Sequence, residues 1–189
     1  MNDLLRGELV HLSAEKAEVM APHFTRWNQD TGWERFLDSD PPRLQSEKKH
    51  KEWLEKDLEK SEGDEILWAI RKLDDEALIG FIGLFALYKQ HGDTLVAIAI
   101  GERENWSKGY GTDAMKVMLR YSFMELNLRR VGLIVFEYNP RAIRSYEKAG
   151  FTQEGRLRGA MLRDGKRWDF LYMGILRDEW LARGALAGR

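Results

Sequence analysis

The run Leu95-Val-Ala-Ile-Ala-Ile100 is apolar at every position. A strand of this kind must be covered on both faces, so it belongs at the centre of a sheet rather than at a solvated edge. A polar loop follows. Then Thr112 to Leu126 places Met115, Met118, Leu119, Ser122 and Leu126 at helical spacing, and Val131 to Tyr138 is apolar again. A strand, a helix and a strand from Leu95 to Tyr138 predict one right-handed crossover between two parallel strands.

The flanking segments read as antiparallel additions to this unit. Leu9–Leu12 is a first strand, and Ser13 is placed to cap a helix opening with Ala14, Glu15 and Lys16. Trp27 to Leu44 reads as irregular, and Ser46 opens a second helix. Ile66–Arg71 and Leu78–Leu87 are strands joined by a turn at Asp74-Asp75-Glu76. Asn139-Pro140 starts a short helix that Gly150 closes. Two strands near Phe151–Leu162 and Trp168–Leu176 turn at Asp164-Gly165, and the tail from Ala182 to Arg189 reads as frayed. The order β-α-α-β-β-β-α-β-α-β-β defines an α/β fold with a mixed, mostly antiparallel sheet of about seven strands flanked by helices. At 189 residues it is expected to be one domain, residues 1–189.

Composition removes several function classes. Thirty Lys and Arg against 31 Asp and Glu give a net charge of −1, which argues against a sequence-independent nucleic-acid binder. With no cysteine, thiolate nucleophiles and Cys-ligated metal sites are excluded. No apolar run approaches the ~20 residues of a membrane helix, and Met1 to Gly7 carries no apolar leader core. A soluble cytoplasmic protein, with no membrane and no nucleic-acid partner, is expected.

Chemistry concentrates in Trp106-Ser107-Lys108-Gly109-Tyr110-Gly111-Thr112, between the buried strand and a helix start. Two glycines one residue apart let successive N–H groups turn toward a common point. The helix end adds unpaired N–H groups and a positive dipole, and Lys108 can supplement this pyrophosphate cradle. An ordinary glycine-containing connector is the plain alternative. There is no Gly-x-x-x-x-Gly-Lys-Ser/Thr. Gly109, Gly111 and Ala114 match a dinucleotide fingerprint. However, Gly101 to Lys108 separates them from the strand, and Arg129-Arg130 stands where a ribose-binding acid belongs.

The second motif is Asn139-Pro-Arg-Ala142-Ile-Arg-Ser-Tyr146-Glu-Lys-Ala-Gly150-Phe151. Parallel strands deliver their carboxyl ends to one crevice, so Asn139 and the glycine loop should flank one site. Ala142 and Tyr146 are four apart on one helical face, which aims the Tyr146 hydroxyl toward whatever the cradle holds. Tyr146 as a core aromatic is the competing reading.

With both motifs in this order, the chain resembles the GNAT superfamily of acyl-CoA-dependent N-acetyltransferases from Leu9 to Leu176. Trp106 before Ser-Lys-Gly, and the ending Arg-Asp-Gly-Lys…Tyr-Met-Gly-Ile-Leu, are similar to the branch holding ribosomal-protein N-terminal acetyltransferases. That branch also holds polyamine and antibiotic acetyltransferases. The resemblance implies acetyl-CoA as co-substrate, no metal, and transfer of its acetyl group to a primary amine of a peptide N-terminus or a small molecule. A homodimer is compatible with it. The same fold could also serve as an acyl-CoA-binding regulatory module without turnover.

The resemblance also implies roles for residues. The pantetheine arm would bind main-chain groups of Ala99, Ile100 and Gly101. The pyrophosphate would lie on Trp106, Ser107, Lys108, Gly109, Tyr110, Gly111 and Thr112. Asn139 would contact the arm, and Tyr146 would lie near the thioester sulfur. Two positions depart from the pattern: Trp106 replaces a common Gln or Arg, and Ala142 replaces a serine proposed as proton donor.

Acetyl transfer needs an oxyanion donor, a base for the amine and an acid for the thiolate. A main-chain N–H near Ile100 or Gly101, Glu102 (with Glu137 as the alternative base) and Tyr146 are the candidates. His11, His23, His50 and His91 lie outside both motifs. For the acceptor, Trp27–Leu44 and the last hairpin are expected to form the site. There Asp30, Glu34 and Asp38 would receive a cationic amine, and Trp27, Trp33 and Phe36 would wall it.

Overall fold

The computed structural model describes residues 3–59, 65–88 and 90–184. The end of the expected frayed tail, residues 185–189, lies outside the described residues. Seven strands form one sheet in the order β1-β2-β3-β4-β5-β7-β6. They are β1 (Val10–Ser13), β2 (Ile66–Lys72), β3 (Leu78–Tyr88), β4 (Asp93–Ile100), β5 (Arg130–Phe136), β6 (Thr152–Arg163) and β7 (Lys166–Leu176). Only β4 and β5 run parallel; the other neighbours are antiparallel. The α/β class, strand number and mixed pairing agree with the reading of the sequence.

The helices are α1 (Ala17–Asn28), α2 (Thr31–Leu37), α3 (Glu47–Glu59), α4 (Tyr110–Met124), α5 (Pro140–Ala149) and α6 (Arg177–Ala182). They cover the sheet from two sides. On one side, Met115, Met118, Leu119 and Phe123 of α4 pack on Val131, Leu133 and Val135, the alternate residues of β5, and on Met173 and Ile175 of β7. On the other, Met20, Phe24 and Trp27 of α1 and Leu54 of α3 pack on Ala69 of β2 and Phe81 of β3. The sheet therefore separates two apolar cores. The expectation that Leu95–Ile100 is covered on both faces is corrected: in β4 only Thr94 and Val96 are buried, Leu95 is exposed, and Ala97 to Ile100 are half-buried beside the open end of the strand. None of the described helices is long and apolar enough to cross a membrane.

Two expectations near the amino-terminal helices are corrected. The first helix starts at Ala17, not Ala14, because Ser13 ends β1 and turns its hydroxyl to Glu15 (2.9 Å) instead of capping. The stretch from Trp27 to Leu44 is irregular only from Asp38 onward. Asp30 accepts hydrogen bonds from Gly32 N–H (3.0 Å) and Trp33 N–H (3.3 Å), and this cap starts α2. The short helix α6 was also not anticipated.

Asp113, in the first turn of α4, fixes the approach to β1. Its nearly buried carboxylate accepts N–H groups from Glu8 (3.2 Å), Leu9 (2.8 Å) and Val10 (3.1 Å). Arg120, two turns further on, donates to the Leu4 (3.1 Å) and Arg6 (2.7 Å) carbonyls. The amino-terminal arm is thus tied along α4 through main-chain groups that have no strand partner. Hydrogen bonds to a charged group are each worth about 1.5–3 kcal/mol, partly recovered by water where the donors are exposed. Asp113→Ala should therefore lower unfolding free energy by about 2 kcal/mol in urea titration at unchanged m-value, and Asp113→Asn by less.

Candidate active site

The two parallel strands pair only through Asp93↔Arg130, Thr94↔Val131 and Leu95↔Gly132. Beyond these residues β4 continues against β3 and β5 against β7, so the pair opens into a crevice at its carboxyl end. Gly101 N–H donates to Ile79 O at 2.8 Å across the β3 side. Antiparallel ladders alternate, so Ala99 and Gly101 direct their main-chain groups toward β3, while Ile98 and Ile100 direct theirs into the opening. This corrects the expected trio: Ile100 faces the crevice with its main chain, whereas Ala99 and Gly101 do not. Ile98 is the crevice-facing residue that the motif reading missed.

Three tryptophans meet at this strand end. A Cβ on Gly101 would fall 2.0 Å from the Trp27 indole, so only glycine fits there. Trp33 of α2 and Trp106 each donate their indole N–H to Ile100 O, both at 2.9 Å.

The glycine loop closes the crevice above β4. Ser107 (φ 61°) and Gly109 (φ 93°) take left-handed conformations, and Gly109 precedes the first turn of α4. Asp113 N–H makes the first bond of that turn, to Gly109 O at 2.9 Å, so the N–H groups of Tyr110, Gly111 and Thr112 come before any intrahelical bond. A Cβ on Gly111 would meet only Ile100 Cγ1 at 3.7 Å and Ser145 Oγ at 4.0 Å. Packing within the protein leaves room for that methyl group, so the fold itself does not require glycine here.

The resulting cleft holds about 370 Å³. It is lined by Ile98, Ala99, Ile100, most of the loop, and α5 through Asn139, Ala142 and Tyr146. Of the loop, Trp106, Ser107, Gly109, Tyr110, Gly111 and Thr112 take part, but Lys108 is exposed and does not line it. Its cations come instead from Arg141, Arg144 and Lys148 of α5. With Ser145, which shares a 2.7 Å hydrogen bond with Thr112, these residues form a stripe at positions i, i+3, i+4 and i+7. That spacing is visible in the sequence and was passed over in favour of Ala142 and Tyr146. The Arg141 guanidinium lies 3.4 Å from the Trp106 ring centroid and 5.6 Å from that of Phe36. Burial, with Arg103 nearby, pushes its pKa below the ordinary arginine value.

Asn139 is nearly buried, and its Oδ1 accepts Ala142 N–H at 3.2 Å, which caps α5 and fixes the side chain at the crevice. Tyr146 lines the same wall, with its ring tilted against Phe151 at 6.1 Å. Burial raises the phenol to about 12, against a small opposing effect of Arg141. The hydroxyl therefore keeps its proton throughout the neutral range and can act as a donor.

The remaining candidates stand elsewhere. Glu102 does not line the cleft: it pairs with Arg26 beside a separate cavity that also includes His23, Arg71 and Lys72. The strand-end geometry explains this, because the chain turns away from the crevice at Gly101. Asp30 caps α2 and pairs with Arg103 (2.9 Å), whose guanidinium holds the Asp30 carboxyl below its usual range. Glu34 accepts from Asn28 Nδ2 (2.9 Å) and Arg43 N–H (3.2 Å). Trp27 is only 2% exposed and belongs to the core. Glu137 pairs with Arg156. From α2, the side chains that reach the cleft are Trp33, Phe36 and Leu37. Among the described residues, no Asp, Glu or His lines the cleft. No group of three or more His, Asp or Glu among the described residues could hold a metal ion.

Comparison with known proteins agrees with this geometry. Residues 8–152 match the family described as acetyltransferase (GNAT) domain. An uncharacterized prophage-derived N-acetyltransferase of Bacillus subtilis is 31% identical over 130 residues, 69% of this chain and 71% of that protein. A putative ribosomal N-acetyltransferase of the same organism is 31% identical over 108 residues, 57% of this chain and 58% of its own length. The crystal structure of spermidine N-acetyltransferase from Vibrio cholerae, in complex with CoA and spermine, superposes with a TM-score of 0.80 at 25% identity. It covers 91% of this chain and 98% of that one. An opened parallel strand pair, a glycine loop at a helix start and a match over most of the chain lead to one assignment: the chain belongs to the GNAT acetyltransferase family.

Proposed function

We propose that the protein transfers the acetyl group of acetyl-CoA to the α-amine of a peptide or an amino-acid-like acceptor, with Tyr146 as general acid. One observation carries the choice of acceptor. Among the described residues, the charged side chains lining the cleft are all cations, Arg141, Arg144 and Lys148, and Asp30, Glu34, Glu102 and Glu137 are engaged by Arg103, a main-chain N–H, Arg26 and Arg156. A polyamine would bring further positive charge with no carboxylate to receive it. An α-amine, with a pKa near 8 against ~10.4 for an alkylamine, is uncharged in a far larger fraction at neutral pH. It can therefore enter without a side-chain base to deprotonate it. This reading sides with the relative named for ribosomal acetylation over the one named for spermidine.

The cleft fits the co-substrate. The N–H groups at the start of α4 and the cations of α5 suit phosphates, and the vacant side of Gly111 leaves space for them. Ile98 and Ile100 offer main-chain N–H groups to the arm and to the acyl oxygen. Acetyl-CoA supplies a thioester whose C–S bond breaks, releasing thiolate, as the amine nitrogen forms the new C–N bond. Tyr146 holds the proton that the departing sulfur takes, and regains one from the proton the amine nitrogen loses, through solvent.

A thiol-release assay with acetyl-CoA tests the acceptor class: peptides with free amino termini should turn over at least tenfold faster than spermidine, and the reverse order overturns the assignment. Turnover should rise with pH along the ionisation of the acceptor amine, with no fall from Tyr146 below about pH 10. Tyr146→Phe should lower kcat by about 10–100-fold, at the modest end for general-acid assistance because thiolates leave readily. Acetyl-CoA affinity should stay within twofold, the pattern of a lost transition-state interaction. Gly111→Ala should melt with the parent protein, whereas Gly111→Val should bind CoA at least tenfold more weakly, about 1.4 kcal/mol by calorimetry.

A further inference from the structure

We infer that Trp33 and Trp106 are positioning residues that couple the cofactor loop to the acceptor-side helix α2 through a single atom, the carbonyl oxygen of Ile100. The inference rests on the acetyl-CoA reading of the glycine loop but not on the identity of the acceptor.

A carbonyl oxygen has two lone pairs. Here both are taken by indole N–H groups, each at 2.9 Å and each from a different element. Trp33 belongs to α2, and Trp106 starts the segment that cradles phosphate. The oxygen itself ends β4 and faces the crevice. Indole N–H is a donor with no acceptor capacity, and Trp33 is buried, so its bond is not readily exchanged for water.

The two elements joined at this oxygen have little stability of their own. At seven residues α2 is too short to hold as an isolated helix. It depends on ties at its ends: the Asp30 cap and the Asp30–Arg103 pair at one, and at the other Tyr138 and Arg163, which both donate to Arg35 O. The loop depends on left-handed Ser107 and Gly109. A ligand that engages the loop N–H groups restricts it and so fixes Trp106. The edge contact of Phe36 with Trp106, at 6.2 Å, lies beside the same joint. Ordering of the loop is then felt in α2, which presents Trp33, Phe36 and Leu37 to the cleft. Cofactor would thus prepare the acceptor wall, and by linkage an acceptor held by that wall would tighten cofactor binding by the same factor.

If coupling runs through one shared atom, losing either donor breaks it, and losing both does no more. General loosening of the structure would instead add from one substitution to the next. The test is amide hydrogen exchange of residues 31–37 with and without CoA, in the parent protein, Trp33→Phe, Trp106→Phe and the double variant. Calorimetry measures CoA affinity in parallel, so a failure of the cofactor reading shows as absent binding in the parent. In the parent, saturating CoA should slow exchange in α2 by at least tenfold. At CoA concentrations that calorimetry shows to saturate each variant, the slowing should fall below threefold in either single variant, and the double variant should match the singles. No CoA-dependent slowing in the parent overturns the inference. So does undiminished slowing at saturation in either single variant, or a further loss in the double variant. The single variants alone decide the matter if the double variant does not fold.

Discussion

The separation of β4 from β5 after Leu95 and Gly132 is the constraint on which the rest of the molecule depends. Two adjacent parallel strands that stop pairing leave main-chain donors and acceptors without partners inside a protein, and such groups are costly unless something satisfies them. The structure answers this differently on the two strands. β5 continues in full register with β7 as far as Phe136↔Phe170, so only its inner edge is open. β4 remains paired to β3, and its exposed terminal carbonyl is taken by two indoles. The groups left over, on Ile98 and the Ile100 N–H, are those a pantetheine arm can use. The cleft is thus an unfinished piece of sheet, with the terminal Ile100 carbonyl already occupied by side chains.

Keeping the strands apart requires bulk at the top of the crevice, and the sequence supplies it as tryptophan. Trp27 presses on the Cα of Gly101 from the core side, and Trp33 and Trp106 bracket Ile100 from the cleft side. Trp106 does more than replace a polar residue at that point of the loop. Its ring carries the Arg141 guanidinium at 3.4 Å, so the cation that might have come from the loop is brought from α5 and held in place by stacking. The departure of Trp106 from the family pattern thus moves a charge by one helix without removing it from the site.

Local rules made most of the fold legible. The apolar run Leu95–Ile100, the helical spacing of Met115, Met118 and Leu119, and the Asn139–Pro140 start with its Gly150 stop each describe one element, and each formed within two residues of where its pattern placed it. Helix α2 was missed because its signal, Asp30 as a cap, was read as chemistry. An aspartate ahead of a tryptophan suits a substrate pocket and a helix start equally well, and only the Gly32 and Trp33 N–H bonds decide between them. Tyr146 and Asn139 were legible because a helix of ten residues fixes their faces from spacing alone. Glu102 was not, since adjacency to a strand end says nothing about which side of the sheet the next side chain takes. The answer depended on Arg26, 76 positions earlier, and on the turn forced at Gly101.

The same accounting of partners bears on the acceptor. Asp30, Glu34, Glu102 and Glu137 each invite assignment as the receiver of an ammonium group when seen one at a time. In the folded protein each already has a cation or main-chain donor. An exposed ion pair of this kind adds little to stability. It nevertheless reduces the net field that an incoming ammonium would feel, because the carboxylate's charge is offset at short range. Arg141, by contrast, is partly buried and faces Trp106 and Phe36, two aromatic rings, which solvate a cation only weakly compared with water. Under the proposed function, its charge and those of Arg144 and Lys148 are balanced by phosphates along one side of the cleft. The α2 side of the cleft presents Trp33, Phe36 and Leu37. Under the proposed function, such a wall suits an amine that arrives uncharged with apolar or amide surface beside it, as the first residue of a peptide does, better than a chain whose every polar atom is a cation.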